Sequence, residues 1–275
     1  MAESGGSQAP WTLLAVVLVA ISLLTGCTEA DAASQHPGVT FLYDAHELVA
    51  AVTDRQRADG TARLSLDGTL SGASTLTFTG AGEMRVVAGA VSVRFTQTVT
   101  QPGSPPQETG FVVLPGATYL RLPPAAGESH ATPWVRVDPQ GTDTESRQLR
   151  SEAAAVTDSA DPMRSLSRYV DATLVSDAAD DTTDGVPTVR YTIVVDLARA
   201  ARAEPDPAVR AQLEQQVRGG LLRVTSTLWV DSSFRPVRSE VHQDVPGIGV
   251  LAITGSYRDW GRPVEIEAPP VAQVR

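Results

Sequence analysis

Residues 91–99, Val-Ser-Val-Arg-Phe-Thr-Gln-Thr-Val, set Val91, Val93, Phe95 and Val99 on one side of an extended chain. Ser92, Arg94, Thr96 and Thr98 fall on the other side. A period of two is the signature of a strand with one buried and one wet face, and a sheet of such strands must cover its apolar face. The same alternation returns at residues 188–197, where Val189, Tyr191, Ile193, Val195 and Leu197 oppose Arg190, Thr192 and Asp196. It returns again in the closing strands, with Leu222, Val224, Leu228 and Val230 on one face. Between the first two runs, "ETGFVVLPGATYLRLP" reads as a hairpin about Pro115-Gly116 and "PWVRVDP" as a short strand. "ARLSLDGTL", "STLTFTG" and "GEMRVV" precede them, with turn chemistry at Gly68, Gly80–Gly82 and "PGSPP" separating the pieces, and the lone glycine pair of Gly80-Ala81-Gly82 reads most simply as a bulge. "LLRVTSTLWVD", "RPVRSEVHQ" and "GVLAITGSYRDWG" are the three closing strands, with "VEIEAP" as a short tail.

Helical signals are fewer. Asp44 and Glu47 have capping-box spacing ahead of the stripe Ala45, Leu48, Val49, Val52, which predicts a helix over 44–57 ended by Gly60. Asp161 and Pro162 start a second helix whose stripe is Met163, Leu166, Val170 and Leu174. Asp206 and Pro207 start another, with Val209, Leu213 and Val217 four apart and Gly219 at its end. "ESRQLRSEAAAV" is a weaker helical stretch, and "SDAADDTTDG" reads as an acidic loop. Long runs of strands broken by grouped helices are not the regular alternation of a parallel sheet. They predict an α+β fold, one large antiparallel sheet with helices gathered on its apolar face.

The left end fixes the compartment. The apolar run Trp11–Leu24 is 14 residues long. At 1.5 Å per residue it spans roughly 21 Å, short of the ~30 Å hydrocarbon core, which suits a secretory signal better than a membrane-spanning helix. It stops at Leu24-Thr25-Gly26-Cys27, and Cys27 is the only cysteine in 275 residues. Those four residues resemble the lipobox of bacterial lipoproteins, in which the thiol takes a diacylglyceryl group and cleavage makes the cysteine residue one. The n-region departs from the usual basic start, carrying Glu3 and no Lys or Arg. The expected organisation is a signal peptide over 1–26 cut between Gly26 and Cys27, a lipidated cysteine and flexible tether over 27–39, and one domain over 40–275. Two acyl chains anchor stably where one does not. The expected location is the outer face of the cell membrane.

Composition narrows the function further. The chain carries a formal charge of −10, with 32 acidic residues and 22 basic ones, every one an arginine. An acidic body without a basic cluster excludes nucleic acid as a partner. With Cys27 consumed there is no thiolate nucleophile, disulfide or cysteine metal site. His36, His46, His130 and His242 have no metal-ligand spacing, and no Gly-x-Ser-x-Gly, His-Glu-x-x-His or P-loop occurs. Counting Asp177 as the first residue of a calcium loop puts Thr188 where the bidentate Glu must stand, so the acidic run reads as solvated. Neither an enzyme nor a cofactor is expected.

The C-terminal third carries a pattern of its own: Trp229-x-Asp231, then Arg235-Pro236-Val237, then Tyr257-x-Asp259-Trp260-Gly261-x-Pro263-Val264 and Ala268-Pro269-Pro270. With Gly185-Val186 leading to Tyr191, it resembles the LppX/LprG-type lipoproteins of actinobacteria, within the LolA-like group. The resemblance implies a half-barrel sheet wrapped around helices, an apolar cavity that binds or carries lipid acyl chains, palmitate on the anchor, and a lipid or glycolipid as ligand. The residues nominated to line or back that cavity are Val91, Val93, Phe95, Met163, Leu166, Val170, Val189, Tyr191, Ile193, Val195, Val209, Leu213, Val217, Val224 and Leu228. Removing a sixteen-carbon chain from water is favourable by roughly 12 kcal/mol, at about 0.8 per methylene. The alternative is a filled core serving as an interaction or sensing module that meets another envelope protein through the acidic stretch around Asp180.

Overall fold

The computed structural model describes residues 41–121, 123, 133–144, 146–150, 153 and 161–275. Cys27, the tether, His36 and His130 lie outside the described residues. Eleven strands form one antiparallel sheet: β1 (Thr61–Gly72), β2 (Thr75–Val87), β3 (Ala90–Thr100), β4 (Gln107–Leu114), β5 (Ala117–Arg121), β6 (Trp134–Arg136), β7 (Thr173–Thr183), β8 (Val186–Asp196), β9 (Arg223–Asp231), β10 (Pro236–Val245) and β11 (Gly249–Arg258). Their order across the sheet is β6-β5-β4-β3-β2-β1-β11-β10-β9-β8-β7, two meanders joined where the last strand pairs with the first. The sheet is open, with β6 and β7 at its edges. The α+β class expected from the alternation is the one observed.

Four helices can be bounded among the described residues. Helix α1 (Ala45–Asp59) begins where the Asp44 side chain accepts the Glu47 N–H and ends at Gly60 in the left-handed region. Ala45, Leu48, Val49, Val52 and Gln56 are its buried positions. Helix α2 (Pro162–Arg168) is capped by Asp161 and continues into the 3₁₀ turn Val170–Ala172. Helix α3 (Leu197–Ala203) starts at Asp196, and α4 (Pro207–Arg218) at Asp206, whose carboxylate accepts the Ala208 and Val209 N–H groups. Part of the weak helical stretch is also helical, at residues 146–150.

Several expectations are corrected. Neither Gly68 nor Gly80-Ala81-Gly82 is a turn, because β1 and β2 run straight through them in unbroken register. The acidic loop is strand β7, joined to β8 by a two-residue hairpin at Asp184-Gly185 with φ of 51° and 79°. Two successive positive φ values are what the tightest hairpin turn demands, and Asp-Gly supplies them. An edge strand keeps one row of backbone and its carboxylates in water, so Asp177, Asp180 and Asp181 are tolerated there. Leu174 lies on β7, beyond the α2 stripe, and is 60% exposed. Leu197 begins α3 rather than extending β8, since the Asp196 side chain takes the Arg199 N–H and turns the chain. Leu222 precedes β9 and is 52% exposed, so it does not share the buried face of Leu228 and Val230.

The "VEIEAP" tail is irregular, as expected of a tail after the last strand. Its carbonyls at Ile266 and Glu267 accept from Arg85 of β2 and Arg94 of β3, on the sheet face opposite the helices. Ile266 is buried there, outside the main core cluster. The chain then reaches the β6 edge, where Arg136 N–H donates to the Arg275 carbonyl and Arg275 N–H to the Trp134 carbonyl. One sheet edge is thereby covered and the other, β7, is not paired beyond β8 among the described residues.

Candidate functional site

The inner face of the sheet is assembled by register. Leu64, Leu66 and Leu70 of β1 stand beside Tyr257, Gly255 and Leu251 of β11 and beside Gly82, Gly80 and Leu76 of β2. On the other meander Val189, Tyr191 and Val195 of β8 stand beside Val230, Leu228 and Val224 of β9. Leu48, Val49 and Val52 of α1, Met163 and Leu166 of α2, and Leu213 of α4 join the same apolar cluster.

The glycines of this face are seats for aromatic rings. A Cβ on Gly68 would lie 2.1 Å from the Phe78 ring, and one on Gly80 would lie 2.3 Å from the Phe95 ring. A Cβ on Gly82 would meet the Arg94 carbonyl oxygen first, at 2.3 Å, and then the Phe95 ring at 2.7 Å. The bulge expected at Gly80–Gly82 is therefore absent, and the missing side chains let Phe78 and Phe95 lie flat across neighbouring strands.

One row of the inner face crosses seven strands: Ile193, Ser226, Val241, Ile253, Gly68, Phe78 and Val99 are successive register partners from β8 to β3. Ile193 and Phe78 are buried, whereas Ser226, Val241 and Ile253 between them are only half-buried. A half-buried run thus crosses the middle of the face, with Val224 and Ser239 beside it also half-buried. Helix α4 is itself shallowly packed, since Leu213 is its one buried residue and Val209 and Val217 stay half-buried against the core.

Burial divides the nominated residues accordingly. Val93, Phe95, Met163, Leu166, Val189, Tyr191, Ile193, Val195, Leu213 and Leu228 are buried in the core. Val91, Val170, Val209, Val217 and Val224 are half-buried and packed at its margin. Ser226, Val241 and Ile253 were not among the nominations. Ile253 follows from the alternation of Leu251, Ile253, Gly255 and Tyr257, but the β10 inner face, Ser239, Val241 and Gln243, is mostly polar and hides its periodicity.

Buried polar groups tie the helices to the sheet. Asp161 accepts from Gln56 Nε2 at 3.3 Å and from the Met163 N–H at 3.0 Å, and burial pushes its carboxyl above the usual range. Tyr257 is also shifted up by burial. Tyr191, 0% exposed, receives the Leu42 N–H on its hydroxyl at 3.2 Å, and this fixes the chain as it enters α1. Glu204, between α3 and α4, is held by Arg168, the Tyr169 hydroxyl and the Asp206 N–H. Burial raises its pKa, but those donors outweigh burial and hold it below the ordinary value. Arg210 donates twice to the Glu204 carbonyl, so the α3–α4 junction is fastened to the end of α2.

The C-terminal motif residues have structural tasks. Asp231 accepts from the Ser233 and Arg235 N–H groups and shapes the β9–β10 turn, where Phe234 has φ 61°. Arg235 forms a two-pronged pair with Asp59 at 2.7 and 3.0 Å, which ties that turn to the end of α1. Trp260 Nε1 donates to the Pro236 carbonyl and stacks on Tyr257. Trp229 Nε1 donates to Asp181 across to β7. Among the described residues no three His, Cys, Asp or Glu side chains gather to hold a metal ion.

No protein-family model matches the chain, and no curated protein does. Similar solved structures include LprF from Mycobacterium bovis, 19% identical over 82% of this chain and 99% of that one, with a TM-score of 0.41. Another is MucB in complex with MucA(peri), 12% identical over 82% of this chain and 60% of that one, with a TM-score of 0.36. A LolA superfamily protein from Nitrosomonas europaea is 9% identical over 79% of this chain and 93% of that one, with a TM-score of 0.23.

Proposed function

We propose that the mature chain is a lipid-anchored envelope protein that binds acyl chains between the inner sheet face and the helices and performs no catalysis. Residues 1–26 act as the export signal, Cys27 carries the anchor, 27–39 is the tether and 40–275 the binding domain. The observation that carries the reading is the half-buried run Ser226–Val241–Ile253 on the helix-bearing face of the sheet, between the buried Ile193 and Phe78 of the same row. Val224, two residues from Ser226 on the same face of β9, borders it, and with the half-buried Val209 and Val217 of α4 it is among the nominated residues best able to touch a ligand. Tyr191, Ile193, Val93 and Phe95 support the wall from behind. Burying a sixteen-carbon chain supplies roughly 12 kcal/mol, ample to offset the ordering of the chain and the loosening of α4.

A second reading has its own observation. Strand β7 offers an unpaired edge bearing Asp177, Asp180 and Asp181, to which an extended basic segment of another envelope protein could add as a twelfth strand. Native mass spectrometry of the full-length lipoprotein, purified from its own membranes, separates the two. Acyl lipid beyond the anchor, released on denaturation, is expected. A lipid-free chain that co-purifies with a protein partner overturns the carrier in favour of the module.

A further inference from the structure

Three large apolar side chains are exposed at one end of the sheet, where β7 begins, β8 ends and β9 begins. They are Tyr43, Leu174 and Leu222, at 61%, 60% and 52% exposure. Thr173, Val195 and Val224 are register partners across the three strands, with Leu174 one residue inside that row and Leu222 two residues outside it. At about 3.3 Å per residue and about 4.8 Å between strands, the two leucine Cα atoms are roughly 14 Å apart. The Leu197 N–H donates to the Leu222 carbonyl at 3.0 Å and holds Leu222 beside the start of α3. Tyr43 belongs to the same end because His46, in the first turn of α1, pairs at 3.1 Å with Asp171, two residues before Thr173. The exposed Val87 and Val186 lie at the opposite end of the sheet.

Charge distinguishes the corner that carries Leu222. Residues 197–203 and 218–223 hold Arg199, Arg202, Arg218 and Arg223 and no acidic residue, in a chain of formal charge −10. All four are exposed, and among the described residues only Arg218 has an ion-pair partner, Glu214 at 3.7 Å. Glu204, Asp206 and Glu214 separate the two segments in sequence, so the corner is basic only once α3 and β9 are brought together. Asp44, Glu47 and Asp171 lie on the α1 side of the same end, away from this corner. The covalent anchor reaches the molecule here too. Thirteen residues separate Cys27 from Phe41, and a coil of that length spans roughly 20 Å. The opposite end is roughly 40 Å further off, the length of the 12-residue strand β1. We infer that this end docks on the membrane that holds the anchor, with Leu222 in the interface and the four arginines on the phosphates of anionic phospholipids. Leu174 and Tyr43 stand at the margin of the contact. The inference rests on the Cys27 anchor and on no ligand within the sheet. Arginine suits such a contact, because its planar guanidinium bonds phosphate oxygens in pairs while its stem lies along apolar surface.

The test uses the full-length lipoprotein. With Cys27 acylated, a cysteine introduced by Leu222→Cys, Leu174→Cys or Val87→Cys is the single free thiol and takes one environment-sensitive fluorophore. Each labelled protein is reconstituted into vesicles of phosphatidylglycerol and phosphatidylcholine, with and without a doxyl-labelled lipid as quencher. The Leu222→Cys label should shift to the blue and be quenched, the Leu174→Cys label less so, and the Val87→Cys label not at all. Arg199→Gln, Arg202→Gln and Arg223→Gln should each lower the docked-to-free ratio about fivefold. Vesicles of phosphatidylcholine alone, or ionic strength near ~1 M, should act in the same direction without any change in the chain. No quenching at Leu222→Cys and Leu174→Cys, or equal quenching at Val87→Cys, overturns the docking and leaves the anchor standing. Quenching indifferent to phosphatidylglycerol, salt and the arginine variants overturns the phosphate contacts. A parent chain that carries no acyl group on Cys27 and does not sediment with the vesicles overturns the anchor, and this inference with it.

Discussion

The contact between Phe95 and Gly80 can be tested by a double-mutant cycle. Phe95 is buried with its ring across Gly80, and a Cβ at Gly80 would fall 2.3 and 2.6 Å from two ring carbons. The next atom, the Thr96 carbonyl oxygen at 3.1 Å, leaves a methyl group nearly enough room, so the ring is the chief obstacle. Gly80→Ala alone should therefore cost about 1–3 kcal/mol as an overpacking change, although alanine stiffens the unfolded chain by about 0.5–1 kcal/mol in its favour. Phe95→Ala alone should cost about 3–5 kcal/mol through lost burial and a cavity above β2. In the double variant the new methyl enters the space the ring vacated, removing the clash and regaining about 0.8 kcal/mol of burial. The pair should then be less destabilised than the sum of the singles by at least about 2 kcal/mol, against the ~0.5 kcal/mol scatter of independent sites. Urea unfolding of a soluble form beginning at residue 40 measures all four corners. Additive losses would refute the reading of these glycines as ring seats.

Three further outcomes follow from named groups. Asp161→Asn keeps an acceptor for the Met163 N–H and Gln56 but removes a carboxyl that burial shifts upward. The folded state favours its protonated form, so the parent is most stable relative to the variant below about pH 3.9 and loses ground as pH rises. Asparagine should match or exceed the parent at pH 7, and an advantage that grows as pH falls would contradict this. Ile266→Ala should cost about 2–5 kcal/mol, because the tail that crosses the outer face is held by a buried isoleucine as well as by Arg85 and Arg94; a change below 0.5, as at about any exposed site, would count against that packing. Cys27→Ala should leave an uncleaved or soluble species, and intact-mass analysis of the parent membrane fraction that finds no acyl groups sinks the anchor.

Much of the fold was legible because period-two alternation survives wherever one sheet face is dry. Val93 and Phe95, Val189 to Val195, and the Asp44, Asp161 and Asp206 caps were readable from residue type and spacing alone. The misreadings share a cause, since each concerns a residue whose usual role was overridden by its neighbours across the sheet. Gly68, Gly80 and Gly82 look like chain breaks until Phe78 and Phe95 are known to lie over them, and that pairing depends on register. The carboxylates of β7 look like a loop because a strand buried on both sides could not hold them, whereas an edge strand can. Asp184-Gly185 did carry the hairpin signal, flanked by Thr183 and Val186, but the acidic composition around it obscured the strand.

The site was harder to read than the scaffold for a related physical reason. Alternation identifies what is apolar on one face, yet a carrier differs from an ordinary core only in what the face leaves unfilled. Tyr191 and Ile193 satisfy the pattern as well as Val224 does, and the first two are closed in while the third is not. Openness arises where the partners across the strip are short or polar, at Ser226 beside Val241 and at Gly68 beside Ile253, so it depends on strand register. The C-terminal motif has the opposite character. Asp231, Arg235, Trp229 and Trp260 bind turns and neighbouring strands through hydrogen bonds that any ligand would leave intact. They define the scaffold, and a feature such as the buried, unpartnered oxygen of Gln243 is one that no periodicity could reveal.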